Sequence, residues 1–389
     1  MAGKTSAERE ALDAQNRRVM AVFTRAGFDF IAPDIIQPAD MFLESLGENI
    51  RSRTYVFTDP LGAELCLRPD LTVPACRYHL SHAKDISGEA RYCYSGPAFR
   101  FQPGVGGGLN PAEFDQAGIE WYSAQGPEAA EAEVLGLAIK AVDAAGLKSY
   151  RIRTGDLGLF HALLDSIDMP ERWRHRLLHQ FWRPSSFREL LDLLTDERAK
   201  PRSSISVHVD AVGAGDMSGA IAYVERQLSD RDLPLAGARS VEDIARRLLE
   251  KAQDRSEKRL PPGDRTLIED YLATEGLLSE TAASLQQLRG TSTVFAAALD
   301  YCSRRLKEIK KRRIAVDTAV FSAVFGRSLE YYTGFVFEIE TEIDGQTVQI
   351  AGGGRYDSLM TEIGAPRKVP AVGCAIHTER LLAALRSYR

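Results

Sequence analysis

The strongest constraint on the fold of this 389-residue chain is the stretch 91–122, where two extended runs flank the glycine-rich segment GVGGG at 104–108. Side chains alternate between the two faces of a strand, so the even-numbered residues of both runs share one face. We predict a hairpin with one buried apolar side and a concave polar side. The polar side carries Arg100, Gln102, Gln116 and Glu120. A cation, two amides and a carboxylate in one space suit a small zwitterionic ligand.

Composition and charge restrict the class of protein. The net charge of −5 lacks the basic character expected of a dedicated nucleic-acid binder. The five cysteines are scattered without a CxxC pair, which is typical of reduced thiols in a cytoplasm. The charged N-terminal segment is not a signal peptide, and no apolar run approaches the ~18 residues of a membrane span. The sequence therefore predicts a cytoplasmic protein without a membrane segment.

Hydrophobic periodicity predicts several elements around the hairpin. Helical spacing indicates helices over 6–26 and 127–146. Thr72 is predicted to cap the helix that follows it. Asp344-Gly345 lies between two alternating apolar runs and predicts a second hairpin. The glycines at 352–354 allow either a tight turn or close approach of the backbone to a ligand.

In residues 157–311 Leu, Ala, Arg, Glu and Asp dominate at helical spacing, which predicts a mainly helical insertion. One short strand is predicted within it at SISVHVDAVG, residues 204–213. His175 and His179 have the spacing of a metal pair, but without a third ligand a helix surface or an interface is the preferred interpretation. The basic cluster at 307–313 could touch phosphates. It lies at a predicted helix end, where solvated cations also favour the helix dipole, and the solvated interpretation is preferred.

A set of charged and aromatic residues in or beside apolar strands points to a ligand pocket. Arg68, Asp70, Arg100, Glu120 and Arg327 could each form a structural ion pair alone. Together with the tyrosines at 331, 332 and 356 they are better explained by one pocket. None of these groups forms a nucleophile–base pair, so the sequence contains no hydrolase triad.

Six segments occur in the order found in class II histidyl-tRNA synthetases: LRPDLT, SGPAFRFQ, FDQAGIE, RSLEYYTGFVFE, AGGGRYDSL and AVGCAIHTERLL. The resemblance covers about residues 10–160 and 312–388. It implies an α+β fold whose mixed, mostly antiparallel sheet is flanked by helices. The synthetase-like core would comprise 1–156 and 312–389, with the insertion at 157–311 between them. The resemblance also implies a dimer, with Pro33 at the position of an interface proline.

Carried over by position, the resemblance implies a histidine-binding pocket. Asp70 takes the place of a glutamate, which keeps the charge but shortens the reach, and Arg327 matches the catalytic arginine of the synthetases. Gln116 and Glu120 match residues that hold the histidine ammonium and imidazole. The histidine-binding residues implied by the resemblance are Asp70, Thr72, Arg100, Gln116, Glu120, Arg327, Tyr331, Tyr332 and Tyr356.

The nucleotide half departs from the synthetase pattern. Phe101 and Gln102 replace a His-Glu pair, and no basic residue lies between Arg100 and Phe114. A triphosphate needs cationic partners, so this loop predicts weak nucleotide binding. His377 occupies a position usually held by glycine, although Arg380 is retained. The sequence also ends just after ERLLAAL, without the anticodon-binding domain of the synthetases.

This combination resembles a second family, the regulatory subunits of ATP phosphoribosyltransferase, the first enzyme of histidine biosynthesis. The resemblance implies no catalytic residues, no metal, no cofactor and no tRNA. It implies a hetero-oligomer with a short-form catalytic subunit and feedback by L-histidine. Two alternatives stay open: a truncated histidyl-tRNA synthetase or histidine-activating enzyme, and a free histidine sensor with an unrelated partner.

Overall fold

The structure is a computed structural model that describes residues 3–43, 50–102, 109–195, 206–212, 216–230, 240–290, 292–326 and 331–387. It divides into two compact units, Met1–Ser166 with Asp270–Arg389, and Ile167–Glu269. The second unit spans fewer residues than the predicted insertion at 157–311, since 157–166 and 270–311 belong to the first unit. No helix of the described ranges is long and apolar enough to cross a membrane.

The strands are β1 Asp29–Phe30, β2 Ile36–Pro38, β3 Tyr55–Thr58, β4 Glu64–Leu67, β5 Ala90–Phe99, β6 Glu113–Tyr122, β7 Arg151–Asp156, β8 Glu275–Leu277, β9 Val320–Ser322, β10 Phe335–Ile343, β11 Gln346–Arg355 and β12 Ala371–His377. The helices are α1 Ser6–Arg25, α2 Asp40–Leu43, α3 Thr72–His82, α4 Pro127–Ala145, α5 Leu157–Asp165, α6 Glu171–Gln180, α7 Pro184–Thr195, α8 Ser206–Val212, α9 Met217–Asp230, α10 Val241–Ser256, α11 Pro262–Leu272, α12 Leu278–Gln287, α13 Thr293–Lys311, α14 Leu359–Glu362 and α15 Thr378–Ser387.

The large sheet of the first unit has the order β1-β5-β6-β12-β11-β10-β7-β9-β8. The β1–β5 and β7–β9 pairs are parallel and the other pairs are antiparallel. The predicted mixed, mostly antiparallel sheet is therefore confirmed. A second, antiparallel sheet has the order β2-β4-β3. Helix α4 packs on β11 and β12, and α1 packs on β5, β6 and α4.

Local sequence signals explain why several elements form where they do. Thr5 and Glu8 form a capping box at the start of α1, and Leu12, Val19 and Phe23 form its buried stripe. The Asp344-Gly345 turn joins β10 to β11 with positive φ values of 50° and 74°, as a two-residue hairpin loop requires. The predicted helix over 6–26 and the second hairpin are both confirmed.

The predicted strand within 204–213 is wrong, because Ser206–Val212 forms helix α8. Val209 is buried against Ala220, Val224 and Ala245 of the neighbouring helices, and Val212 packs against the same cluster. The two valines stand three residues apart, which is helical spacing. Tertiary packing of this face outweighs the β propensity of valine.

The glycines at 352–354 form neither a tight turn nor a segment outside the sheet, because all three lie inside β11. A Cβ atom on Gly353 would lie 2.3 Å from the carbonyl oxygen of Gly373 on the adjacent strand β12. The absence of a side chain lets two central strands approach closely, which explains the glycine without a ligand.

Candidate ligand-binding site

The β5–β6 hairpin has the pairing that alternation predicts. Tyr92 lies opposite Glu120, Tyr94 opposite Gly118, and Gly96 opposite Gln116. The expected burial was wrong, however. Every residue of β6 after Glu113 is buried, so both sides of this strand are covered by other elements. The polar side is therefore an enclosed set of polar groups and not an open platform; the 104–108 loop lies outside the described residues.

Glu120 is the central charged group of this enclosed set and is 1% exposed. Its carboxylate accepts hydrogen bonds from the hydroxyls of Tyr94, at 2.8 Å, and of Tyr356. The Thr72 hydroxyl also interacts with it. Burial raises the pKa of Glu120 to about 7, although the hydroxyl donors lower it. Glu120 can therefore gain or lose a proton near neutral pH.

Gly373 of β12 makes room for the Glu120 carboxylate. A Cβ atom on Gly373 would lie 1.7 Å from Oε2 of Glu120. Gly118 similarly admits the Tyr94 ring, whose hydroxyl would lie 2.6 Å from an added Cβ atom. Glycine at these two strand positions is required by the polar cluster itself.

Asp70 lies between β4 and α3 and is 3% exposed. Its Oδ1 accepts a hydrogen bond from the Val73 backbone N–H at 3.3 Å. The prediction that Thr72 caps α3 is thus wrong: Thr72 is the first helical residue, and its hydroxyl interacts with Glu120 and Tyr94 instead. The Asp70 carboxylate is close enough to the helix start to accept the free N–H group that a cap would satisfy.

Two buried acceptor atoms of the site are unsatisfied within the described ranges, Oδ2 of Asp70 and Oε1 of Gln116. A buried acceptor without a donor destabilises the protein by roughly 1–3 kcal/mol, so these atoms call for a ligand or water donor. Burial raises the pKa of Asp70, an effect that the Arg100 charge and the Val73 N–H oppose. A site with unsatisfied carboxylate and amide oxygens favours a cationic donor such as an ammonium group.

The three tyrosines form one aromatic wall. Ring centroids of Tyr331 and Tyr332 are 4.6 Å apart, and Tyr356 lies 5.6 Å and 6.3 Å from them. All three are buried. Since Tyr356 also donates to Glu120, the wall adjoins the carboxylate. Arg327, the remaining predicted site residue, lies outside the described residues.

Arg100 is held beside Asp70 rather than aimed along β5. It follows the last residue of that strand, and its Nε donates to the Pro69 carbonyl at 2.7 Å. Its guanidinium lies 5.2 Å from the centroid of the Phe114 ring. The structure therefore brings together Asp70, Thr72, Arg100, Glu120 and the tyrosine wall in one cluster of neighbouring side chains. Gln116 lies on the same face of the sheet.

A small cleft adjoins this site at the position of the predicted nucleotide half. Its volume is about 60 Å³, and its lining includes Arg100, Phe114, His377 and Arg380. The His377 ring lies 5.5 Å from the Phe114 ring and is 7% exposed.

Arg380 contributes to closing this cleft. Its Nε donates to the Leu109 carbonyl at 3.0 Å, Nη1 to the Gln349 carbonyl at 3.1 Å, and Nη2 to Oδ1 of Asn110 at 2.5 Å. The guanidinium thus connects α15 to β11 and to the residues just before β6. Because these N–H groups of Arg380 already donate to carbonyl oxygens of the protein, they are not arranged to bind the phosphates of a nucleotide.

Sequence reasoning placed Tyr94 on the polar face but did not include it among the site residues, although it donates to Glu120. It also missed Tyr122, whose hydroxyl donates to Sγ of Cys76 at 3.4 Å beside the same cluster. Alternation along β5 and β6 was the available signal, since both tyrosines share the face of Glu120. His175, of the possible metal pair, lies 3.1 Å from Glu171, and the described residues contain no cluster of three metal-ligating side chains.

The sheet and the site together define a histidyl-tRNA synthetase-like protein. The histidyl-tRNA synthetase family matches residues 5–246 and 238–381. Among solved structures, an ATP phosphoribosyltransferase regulatory subunit/histidyl-tRNA synthetase from Bacillus halodurans superposes with a TM-score of 0.68 at 21% identity, over 99% of this chain and 82% of that one. A histidine–tRNA ligase subunit from Alicyclobacillus acidocaldarius gives 0.60 at 22% identity, over 100% and 96%. These likenesses confirm the predicted fold.

Curated relatives define the family more narrowly. The ATP phosphoribosyltransferase regulatory subunit of Brucella anthropi is 35% identical over 351 residues, which are 89% of this chain and 90% of that protein. The regulatory subunit of Allorhizobium ampelinum is 33% identical over 371 residues, or 92% and 94%. The chain belongs to the family of ATP phosphoribosyltransferase regulatory subunits, as predicted from its departures from the synthetase pattern.

Proposed function

We propose that this protein is a non-catalytic regulatory subunit of ATP phosphoribosyltransferase, which carries out the first step of histidine biosynthesis in the cytoplasm. The observation that carries the proposal is the match to curated regulatory subunits along about nine-tenths of both chains, at 35% identity for one of them. In this role it would bind a short-form catalytic subunit, support its activity and confer feedback by L-histidine.

The enclosed site supports L-histidine as the ligand. Oδ2 of Asp70 and Oε1 of Gln116 are unsatisfied acceptors suited to the α-ammonium group. Glu120 is placed to accept a hydrogen bond from an imidazole N–H, and the tyrosine wall offers rings against which an imidazole can pack. Feedback further requires that histidine bind two states of the assembly with different affinities.

The hydrogen bonds of Arg380 to carbonyl oxygens of the protein argue against nucleotide binding and support the absence of amino-acid activation. The retained arginines Arg100 and Arg380 favour the second candidate, a truncated synthetase or a histidine-activating enzyme. Histidine-dependent ATP–pyrophosphate exchange by the purified chain separates the two. We expect no exchange above background, whereas robust exchange would replace the regulatory proposal with the activating one.

Mixing the chain with a short-form catalytic subunit tests the partnership. We expect a complex that elutes ahead of either protein in size-exclusion chromatography, a higher phosphoribosyltransferase rate, and inhibition of that rate by L-histidine. Failure to form a complex, together with an unchanged rate, would favour the free histidine sensor.

We further propose that two copies associate through the small sheet. Ile36 of β2 is 51% exposed, and Val56 and Phe57 of β3 are 42% and 38% exposed. Ile35, just before β2, is 40% exposed. Ile36 and Phe57 lie on the same side of this sheet, whereas Val56 points to the other side. We call Ile35, Ile36 and Phe57 the association face. Clustered exposed apolar residues of this kind mark interaction sites. Ile35 and Ile36 also follow closely after Pro33, which matches the interface proline of class II synthetases.

A further inference from the structure

Arg68 joins two distant segments of the first unit. It follows β4 directly and is 3% exposed. Its Nε donates to the Pro97 carbonyl at 2.7 Å, and its Nη1 donates to the Pro33 carbonyl at 2.5 Å. Its backbone N–H donates to the Ile35 carbonyl at 3.0 Å, and its carbonyl accepts from the Phe99 N–H at 3.0 Å. The residue thus fastens segment 33–35 to the end of β5.

The hydrogen bonds of Arg68 are made to neutral acceptors. Within the described residues, no carboxylate lies at ion-pair distance from its guanidinium. A buried cation without an ionic partner is costly, so its presence contributes little net stability in itself. What the planar guanidinium provides is geometry, because it donates in two fixed directions at once.

One end of this connection leads to the association face. Pro33 and Ile35 precede β2, and Ile35 and Ile36 belong to that face. The backbone of residues 33–35 is held by Arg68 through both a main-chain and a side-chain hydrogen bond. Any shift of this segment on association therefore acts on Arg68.

The other end leads to the ligand site. A Cβ atom on Gly96 would lie 2.7 Å from Nη2 of Arg68, so the guanidinium lies against β5 at the residue paired with Gln116. The next two residues of the chain are Pro69, whose carbonyl holds Arg100, and Asp70, which bears the unsatisfied oxygen. A displacement of Arg68 would move both.

We propose that Arg68 is a positioning residue that links self-association to ligand binding. Histidine bound at Asp70 and Gln116 fixes the segment that Arg68 holds, and this favours the arrangement of 33–35 in which the association face pairs. By thermodynamic linkage, histidine then strengthens association by the factor by which association strengthens histidine binding. The inference rests on the proposed histidine site and the proposed association.

The test uses the full chain, fluorescently labelled and diluted through the dissociation range, with and without saturating L-histidine. Sedimentation measures association and titration calorimetry measures histidine binding. For the unaltered chain we expect histidine to lower the dimer dissociation constant by about 5-fold or more, the low end of common coupling factors. Arg68→Lys keeps the charge but cannot donate in two fixed directions. In this variant we expect the dimer dissociation constants with and without histidine to differ by less than about 2-fold.

Two further variants make the result specific. Gly96→Ala keeps Arg68 but pushes its guanidinium away from β5, and we expect it to reduce the coupling as Arg68→Lys does. Arg91→Lys alters an arginine of the same strand that stacks 3.7 Å from the Trp121 ring, and we expect it to leave the coupling intact. Thermal unfolding confirms that each variant folds.

The possible results distinguish the role of Arg68, the linkage and the histidine site. Equal coupling in the unaltered chain and in Arg68→Lys or Gly96→Ala would overturn the role of Arg68. Histidine binding that is independent of association in the unaltered chain would overturn the linkage and leave the histidine site standing. Absence of histidine binding in the unaltered chain would overturn both the site and the linkage.

Discussion

At the scale of the residue, Glu120 shows how the candidate site differs from an ordinary core. Its carboxylate is buried and receives tyrosine and threonine hydroxyls, yet burial dominates and raises its pKa to about 7. Asp70 lies nearby with a raised pKa and an unsatisfied oxygen. Two acids therefore share a poorly solvated space, where a cationic ligand would lower the pKa of both.

The first prediction concerns histidine binding to Glu120→Gln. Near pH 5.5 and without bound histidine, Glu120 is largely protonated, so the unaltered chain and the variant carry the same charge at this position. Above pH 7 Glu120 ionises, and we expect the unaltered chain to bind histidine about 10-fold more tightly than the variant, since hydrogen bonds to charged groups are worth ~1.5–3 kcal/mol. Calorimetric titration from pH 5.5 to 8.5 measures the ratio of the two affinities.

The free ligand ionises in the same way in both titrations, so any difference between the two proteins in the pH dependence of affinity arises at the site. A ratio that stays constant with pH would contradict a direct contact between Glu120 and histidine. Tyr92→Phe serves as a control on the neighbouring strand β5, because Tyr92 contacts His79 and not the Glu120 carboxylate.

The same substitution should change stability in the absence of ligand. The pKa of Glu120 is higher in the folded chain, at about 7, than its ordinary value of 4.5, so the folded state binds the proton more tightly. This contribution to stability is fully present below pH 4.5 and is lost as pH rises through 7. We expect the free energy of unfolding of Glu120→Gln to exceed that of the unaltered chain by up to about 3 kcal/mol at pH 8.

Denaturant unfolding at pH 5 and pH 8 measures this difference. The gap between the two proteins should be small at pH 5 and larger at pH 8. A gap that narrows as pH rises would show that Glu120 is stabilised as a carboxylate in the folded chain.

At the scale of the element, helix α13 is fixed to the sheet by buried charges. Arg305 is 2% exposed and donates to Glu131 of α4 at 2.9 Å and to Asp156 of β7 at 2.6 Å. Glu131 also accepts from Arg355 and, at 2.7 Å, from Tyr301. This network joins α13, α4, β7 and β11 within the first unit, and Arg355 precedes the site residue Tyr356.

Removing Arg305 tests the weight of this network. Arg305→Ala leaves Glu131 and Asp156 buried with fewer partners, and breaking a buried pair in this way typically costs ~3–5 kcal/mol. Arg304→Ala is the matched control, because Arg304 pairs with Glu128 at the surface and such pairs contribute ~0–1 kcal/mol. Equal losses in urea unfolding would show that the buried network does not hold α13.

At the scale of the whole molecule, the small sheet presents the association face while the large sheet carries the site. Phe57→Asp places a charge on that face, where association would have to bury it without a partner. We expect the variant to be monomeric by light scattering at concentrations where the unaltered chain is dimeric. Leu61→Asp is the control, since Leu61 is 94% exposed in the turn between β3 and β4.

Much of the fold was predictable because its signals are local. The stripe of α1 and the Asp344-Gly345 turn each depend on a few adjacent residues, and the six motifs fixed the sheet by resemblance. Local patterns could not distinguish helix from strand at 204–213, since Val207 and Val209 have the two-residue spacing of a strand while Val209 and Val212 have the three-residue spacing of a helix. Nor could they reveal that α13 belongs with the first unit, because Arg305 finds Glu131 only across 174 residues of chain.

The sequence by itself determined the family, the pairing of the first hairpin and the face on which Tyr94, Gln116 and Glu120 lie, because alternation and turn chemistry act between near neighbours. Only the tertiary structure decided how that face is used. It closed the polar side over Glu120, left Oδ2 of Asp70 unsatisfied and engaged Arg380 with carbonyl groups. Burial and the geometry of neighbouring groups determine which acids are charged and which acceptor atoms lack a hydrogen-bond donor. Burial and geometry both depend on contacts between segments far apart in the chain.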